Sequence, residues 1–93
     1  MNYAVSMKVN NQYSPFFMFE GEEEEAVIEE FKIFETMVLE SGIQDLLYLS
    51  RVPDEDADAV EEMMNRNLQH SKQLTAVVLA YLALPEPFNP EWN

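Results

Sequence analysis

The segment from Asp54 to Leu84, DEDADAVEEMMNRNLQHSKQLTAVVLAYLAL, places six acids in its first nine residues and none in the remaining twenty-two. Val60, Met64, Asn67, Ser71, Leu74, Val78 and Tyr81 follow a helical seam flanked by Met63, Leu68 and Leu82, which predicts one long helix, acidic where it starts and apolar where it ends. Asp54 is read as its N-cap. As a straight rod the segment would measure about 46 Å, whereas a compact domain of this size has a diameter of roughly 32 Å. Either the helix bends among the weak helix formers Asn65, Asn67, His70 and Ser71, or it projects and its apolar end, AVVLAYLAL, is covered by another subunit. The second alternative is favoured. It predicts a homo-oligomer, most simply a dimer, that adheres by one end of the molecule and repels or mimics by the other.

The residues before this segment read as a hairpin and a helix. Tyr3, Val5, Met7 and Val9 alternate with Ala4, Ser6 and Lys8, the period of a half-buried strand. Turn chemistry from Asn10 to Pro15 separates it from a second short strand, Phe16 to Phe19. Gly21 ends that strand, and the run Glu22, Glu23, Glu24 and Glu25 opens a helix, because carboxylates are favoured at the positive end of the helix dipole. Val27, Phe31, Phe34, Met37 and Val38 form its buried face, and Gly42 stops it after Ser41. IQDLLYLSRV, residues 43–52, suits either a helical turn or a strand, and is read as a strand buried on both faces around Leu46 to Leu49. That strand would return the chain along the helix, so the acidic starts of both helices would share one end of the molecule. A helical linker would leave them apart.

The fold class expected is therefore α+β, a small antiparallel sheet in the order β-β-α-β-α packed by two helices, the second one long. Residues 1–84 form one domain, because a 93-residue chain can build a single core and little more. Residues 85–93, PEPFNPEWN, carry three prolines and form an extended tail with Phe88 and Trp92 as apolar anchors.

Charge narrows the function classes. Five basic residues against eighteen acids give a net charge of −13, beyond the magnitude of about 2–8 that suffices for solubility. Such a chain repels nucleic acid and anionic membrane, so the expected partner is a basic protein. No cysteine, no signal-like N-terminus and no apolar run of membrane-spanning length lead to the expectation of a soluble, cytoplasmic protein. Asp54, Asp56 and Asp58 open like a calcium loop, but Ala59 stands where glycine is needed and Asn65 where the bidentate glutamate belongs. His70, the only histidine, lies on a polar flank with no recognisable catalytic company, and two glycines cannot build a phosphate loop. No enzyme, cofactor or metal is expected.

Two acidic clusters remain. Glu20, Glu22, Glu23, Glu24, Glu25, Glu29, Glu30, Glu35 and Glu40 surround the first helix, and six acids open the second. Either alone is an ordinary solvated helix start. Together, with few compensating bases, they suggest carboxylates imitating the phosphates of a nucleic acid inside a basic groove. The residues expected to carry this role are Glu22, Glu23, Glu24, Glu25, Glu29, Asp54, Glu55, Asp56, Asp58, Glu61 and Glu62. Glu30 and Glu35 are expected to pair with Lys8 or Arg51, or with a partner's arginines. The expected function is inhibition of a nucleic-acid-handling protein. Small acidic inhibitors of this kind are carried by bacteriophages against restriction or CRISPR systems, an analogy of size and composition. The alternative is an oligomeric assembly adaptor that works through Val78, Tyr81, Leu82, Phe88 and Trp92.

Overall fold

The computed structural model of the chain describes residues 1–84. It is an α+β fold with three strands, β1 (Asn2–Val9), β2 (Gln12–Glu20) and β3 (Leu47–Val52), and three helices, α1 (Glu24–Glu40), α2 (Ala57–Gln69) and α3 (Lys72–Leu82). The sheet is antiparallel in the order β2-β1-β3. The expected strand–strand–helix–strand–helix order is present.

The hairpin turn is only Asn10 and Asn11, tighter than the six-residue turn expected. Both have positive φ, 51° and 65°, the left-handed pair that asparagine tolerates and that matches the twist of the flanking strands. Strand β2 therefore begins at Gln12 and is longer than Phe16 to Phe19. It carries a bulge: Val5 pairs with Phe17 and Ser6 with Pro15, leaving Phe16 as the extra residue. Strict alternation would send Phe16 and Phe17 to opposite faces. Instead both rings lie near Phe34 of α1, at 5.7 and 4.8 Å between centroids, and Phe19 joins them at 6.1 Å.

Helix α1 ends as the sequence indicates. Gly42, with φ 95°, follows the C-cap Ser41; its N–H donates to the Leu39 carbonyl, and the Ile43 N–H donates to that of Val38. These two bonds with buried Ile43 and Val38 make a Schellman ending, in which an apolar pair closes the last turn. The chain then returns as β3, so the strand reading of residues 43–52 is correct in kind. Its placement differs. Leu46 precedes the strand and is 69% exposed, and β1, the central strand, is the one buried along most of its length. Tyr3, Val5 and Met7 of β1 and Phe17 and Phe19 of β2 meet Phe34 and Val38 of α1 and Val77 and Val78 of α3 in one core.

The helical stretch from Asp54 onward has the expected extent but is not one rod. A 3₁₀ turn at Asp54–Asp56 leads into α2, which ends at Gln69 with His70 as its C-cap, and Ser71 starts α3 by accepting a hydrogen bond from the Leu74 N–H at 3.2 Å. Thr75 Oγ1 donates back across the corner to the Leu68 carbonyl at 2.7 Å. Of the two ways to shorten the rod, the bend at the weak helix formers is the one adopted. Asp54 is not a helix cap; its Oδ1 accepts from Asn2 Nδ2 at 3.4 Å.

The bend reverses the chain. Helix α2 runs along β2, where Met64 and Glu61 lie beside Met18 and Glu20, and Asn67 Nδ2 donates to the Pro15 carbonyl at 2.7 Å. Helix α3 then comes back antiparallel to α1: Gln73 at its start reaches the Ser41 carbonyl, and Tyr81 near its end reaches Glu30. The apolar end of the segment is thus brought back toward its acidic start. A gradient along the sequence does not become opposite poles of the molecule, contrary to expectation. No helix among the described residues is long and apolar enough to cross a membrane.

Candidate functional site

Sheet register brings the two acidic clusters together. Asn2 pairs with Glu20 on one side and with Val52 on the other, so the exits of β2 and β3 are at the same end of the sheet. The first exit leads within four residues to the start of α1, and the second leads at once to Asp54. Glu22, Glu23, Glu24 and Glu25 therefore share an end with Asp54, Glu55, Asp56 and Asp58. All eight are exposed, as are Glu29, Glu61 and Glu62 further along their helices. Helices α1 and α2 both point away from this end, so the positive ends of two helix dipoles lie beneath the carboxylates and temper their mutual repulsion.

Glu20, counted in the first cluster but not among the residues expected to carry the role, lies at this same end. It lies on the rim of two shallow clefts, one of about 310 Å³ shared with Glu22, Glu23 and Glu30, the other of about 270 Å³ shared with Asn2 and Glu61. Its position as the last residue of β2, just before Gly21, was the available signal. Gly21 is tightly placed: its N–H donates to the Met1 carbonyl at 3.0 Å, and a Cβ here would lie 2.8 Å from Cγ2 of buried Val27.

Little positive charge answers this end. Arg51, the β3 residue before Val52, donates to Glu24 at 2.7 Å across the end of the sheet, and that carboxylate raises the guanidinium pKa from its ordinary value. The other ion pair among the described residues, Arg66 with Glu62 at 3.4 Å, is a helical i, i+4 contact on the surface. Each is worth little to stability, because exposed pairs exchange Coulomb attraction for side-chain entropy. Arg51 and Lys8 do not take up Glu30 and Glu35 as expected. Arg51 is engaged with Glu24, and Lys8 lies over the Tyr13 ring at 5.6 Å. Glu35 is exposed, and Glu30 accepts a hydrogen bond from the Tyr81 hydroxyl.

The apolar candidates divide. Val78 is buried in the domain's own core. Tyr81 is half-buried, with its ring edge-on to Phe17, Phe19 and Phe34 at 5.2–5.8 Å, and its pKa is raised well above the ordinary phenol value, first by burial and then by the bond to Glu30. Neither presents the surface expected of it, since α3 packs these residues inward. Leu82 is 62% exposed, and Leu79, one turn earlier, is 61% exposed. Phe88 and Trp92 lie outside the described residues. His70 is exposed at the corner between α2 and α3. Among the described residues no group of three or more His, Asp or Glu side chains is placed to hold a metal ion.

No protein-family model, curated protein or solved structure matches the chain.

Proposed function

We propose that this protein is a non-enzymatic acidic binder that occupies the basic groove of a nucleic-acid-handling protein, and so inhibits it, with the end of the sheet beneath α1 and α2 as its working surface. The observation that supports this reading is the double pairing of Asn2, which draws two carboxylate clusters distant in sequence to one end. A single acidic helix start would be an ordinary solvated surface; two starts and Glu20, with Arg51 as the nearby base, resemble the dense one-sided charge of a phosphate backbone. The partner is a basic cytoplasmic protein, and the phage-encoded anti-restriction or anti-CRISPR class is the setting in which such an inhibitor is useful. Reversing four charges, Glu22→Lys, Glu25→Lys, Glu55→Lys and Glu62→Lys, tests it. All four positions are exposed, so the variant should fold and lose inhibition. A folded variant that still inhibits refutes the reading.

A second reading rests on exposed Leu79 and Leu82: a homo-oligomeric adaptor that associates through the apolar end of α3, with the acids serving solubility. Salt separates the two, since charge-driven binding weakens steeply with ionic strength while apolar association holds or strengthens.

A further inference from the structure

The two edges of the sheet are not alike. β2, at one edge, is blunted: Pro15 has no N–H to offer, its carbonyl is taken by Asn67 Nδ2 of α2 at 2.7 Å, and the bulge at Phe16 interrupts the strand. β3, at the other edge, has none of these devices; LYLSRV contains no proline and pairs with β1 without a bulge. The hairpin fixes which main-chain groups of β3 are open. Asn10 and Asn11 form a two-residue turn, so Val9 and Gln12 exchange the first pair of ladder bonds, and Met7, Val5 and Tyr3 face β2 as Val9 does. The Met1 carbonyl, next in that series, accepts from the Gly21 N–H on the same side. Ser6, Ala4 and Asn2 therefore face β3, where they pair with Tyr48, Ser50 and Val52. The N–H and carbonyl groups of Leu47, Leu49 and Arg51 point away from the sheet, and no main-chain bond from elsewhere in the described residues reaches them.

We propose that β3 pairs with an extended segment of the basic partner, which adds a fourth strand to the sheet, apolar beside Leu49 and carrying lysine or arginine at the end next to Val52. The proposal rests on the acidic-end reading above and adds how the partner is held. Charge selects the occupant. β3 runs into Asp54, Glu55 and Asp56, and Glu24 lies at that end on Arg51. At its start, Leu39, Ile43 and Leu46 line a cleft of about 240 Å³, with Leu39 and Leu46 both exposed. The strand between these two places spans roughly 20 Å. An added antiparallel strand thus meets carboxylates at its own N-terminal end and apolar surface at its C-terminal end. A second copy fits this edge less well: antiparallel self-pairing centred on Leu49 brings Asp45 of one copy next to Asp54 of the other, between chains of net charge −13. Main-chain bonds along β3 supply affinity that exposed carboxylates, screened by salt, do not supply alone.

The probe is a synthetic peptide of about ten residues, three basic residues followed by alternating threonine and valine and a final leucine, added at low salt to the intact protein. In the free protein the amides of Leu47, Leu49 and Arg51 should exchange rapidly with solvent and those of Tyr48, Ser50 and Val52 slowly; with the peptide bound, both sets should be protected. Arg51→Pro removes one outward N–H at an edge position where proline is tolerated. It should bind the peptide about tenfold more weakly than Arg51→Thr, which carries the same charge and keeps the N–H. N-methylation of the central peptide amides should abolish binding to the unmodified protein, a comparison that does not depend on how any variant folds. Failure of the peptide to bind overturns the proposal, and so does protection of Leu49 and Arg51 before the peptide is added. The two readings fail differently. If the edge is not used, Arg51→Pro and the methylated peptide bind like their controls while the four-lysine variant still loses the peptide. If the acidic end is not used, the four-lysine variant holds the peptide as tightly as before, with Leu49 and Arg51 protected. Either result overturns the proposal.

Discussion

Phe34→Ala should cost about 3–5 kcal/mol, the range for removing a buried ring from a core that relaxes only partly. Phe34 is fully buried, stacked on Phe17 at 4.8 Å and edge-on to Tyr81 at 5.2 Å, with Phe16 and Phe19 within 6.1 Å. Those neighbours come from two elements that cannot collapse into the vacated space. The bulge fixes Phe16 and Phe17 on one face, and α3 holds Tyr81 through its bond to Glu30. The loss should therefore fall in the upper half of the range, because each aromatic pair adds roughly 0.5–1.5 kcal/mol beyond burial. A domain of this length has a total stability of about 5–14 kcal/mol, so the urea midpoint should fall by a third or more with little change in slope. Leu39→Ala, on the same helix but 61% exposed, should stay within about 0.5 kcal/mol of the parent. A loss at Phe34 below about 1.5 kcal/mol would mean that the bulge does not direct Phe16 and Phe17 onto α1, and the account of how α1 is seated would fail.

Gly21→Ala should destabilise by about 1–3 kcal/mol, as overpacking does, because its Cβ would meet Val27 at 2.8 Å; a neutral effect in urea denaturation would contradict the close approach of β2 to α1. For Tyr81 the folded pKa is raised, so the protonated form is the one the fold prefers; its contribution is fully present below the unfolded value of about 10 and is lost as pH rises through that value toward the higher folded one. Tyr81→Phe should remove that alkaline loss from the pH–stability profile. It should also cost on the order of 1 kcal/mol at neutral pH, reduced by partial solvent exposure of the bond to Glu30; an unchanged alkaline profile would refute the assignment.

Several elements of the fold were legible because their signals are local. The strand at Tyr3 to Val9, the glutamates opening α1 and the Gly42 stop each act through neighbours a few residues away, and each element is found where expected; the half-buried alternation is not, because β1 is the central strand, with Ala4 and Ser6 buried as well as Tyr3, Val5 and Met7, and Val9 exposed at its end. The break at His70 and Ser71 was only half-legible. Weak helix formers marked the place, and Ser71 capping Leu74 and Thr75 reaching Leu68 close the corner locally, but the choice between bending and projecting rests on the packing of α3 against α1, which no local signal announces. The bulge at Phe16 has no period to announce it; consecutive aromatics read equally well as opposite faces until the pairing of Ser6 with Pro15 is known. At the acidic end the composition was legible and, through the strand reading of residues 43–52, so was the sharing of one end by both helix starts. Glu20 was counted in the first cluster but left out of the expected working surface, because it precedes the helix it serves. Val78 and Tyr81 were misplaced because a helix apolar on several sides does not reveal which side meets its own core.

As proposed, the converged carboxylates bind a basic groove that otherwise holds nucleic acid. The most direct measurement is affinity capture from a lysate at low salt on the immobilised intact protein, eluted first with duplex DNA and then with salt steps. A nucleic-acid-binding protein should be displaced by DNA and released at moderate salt, and be absent when the capture is repeated with the four-lysine variant. Partners that ignore DNA, survive high salt and bind the four-lysine variant equally well would contradict it.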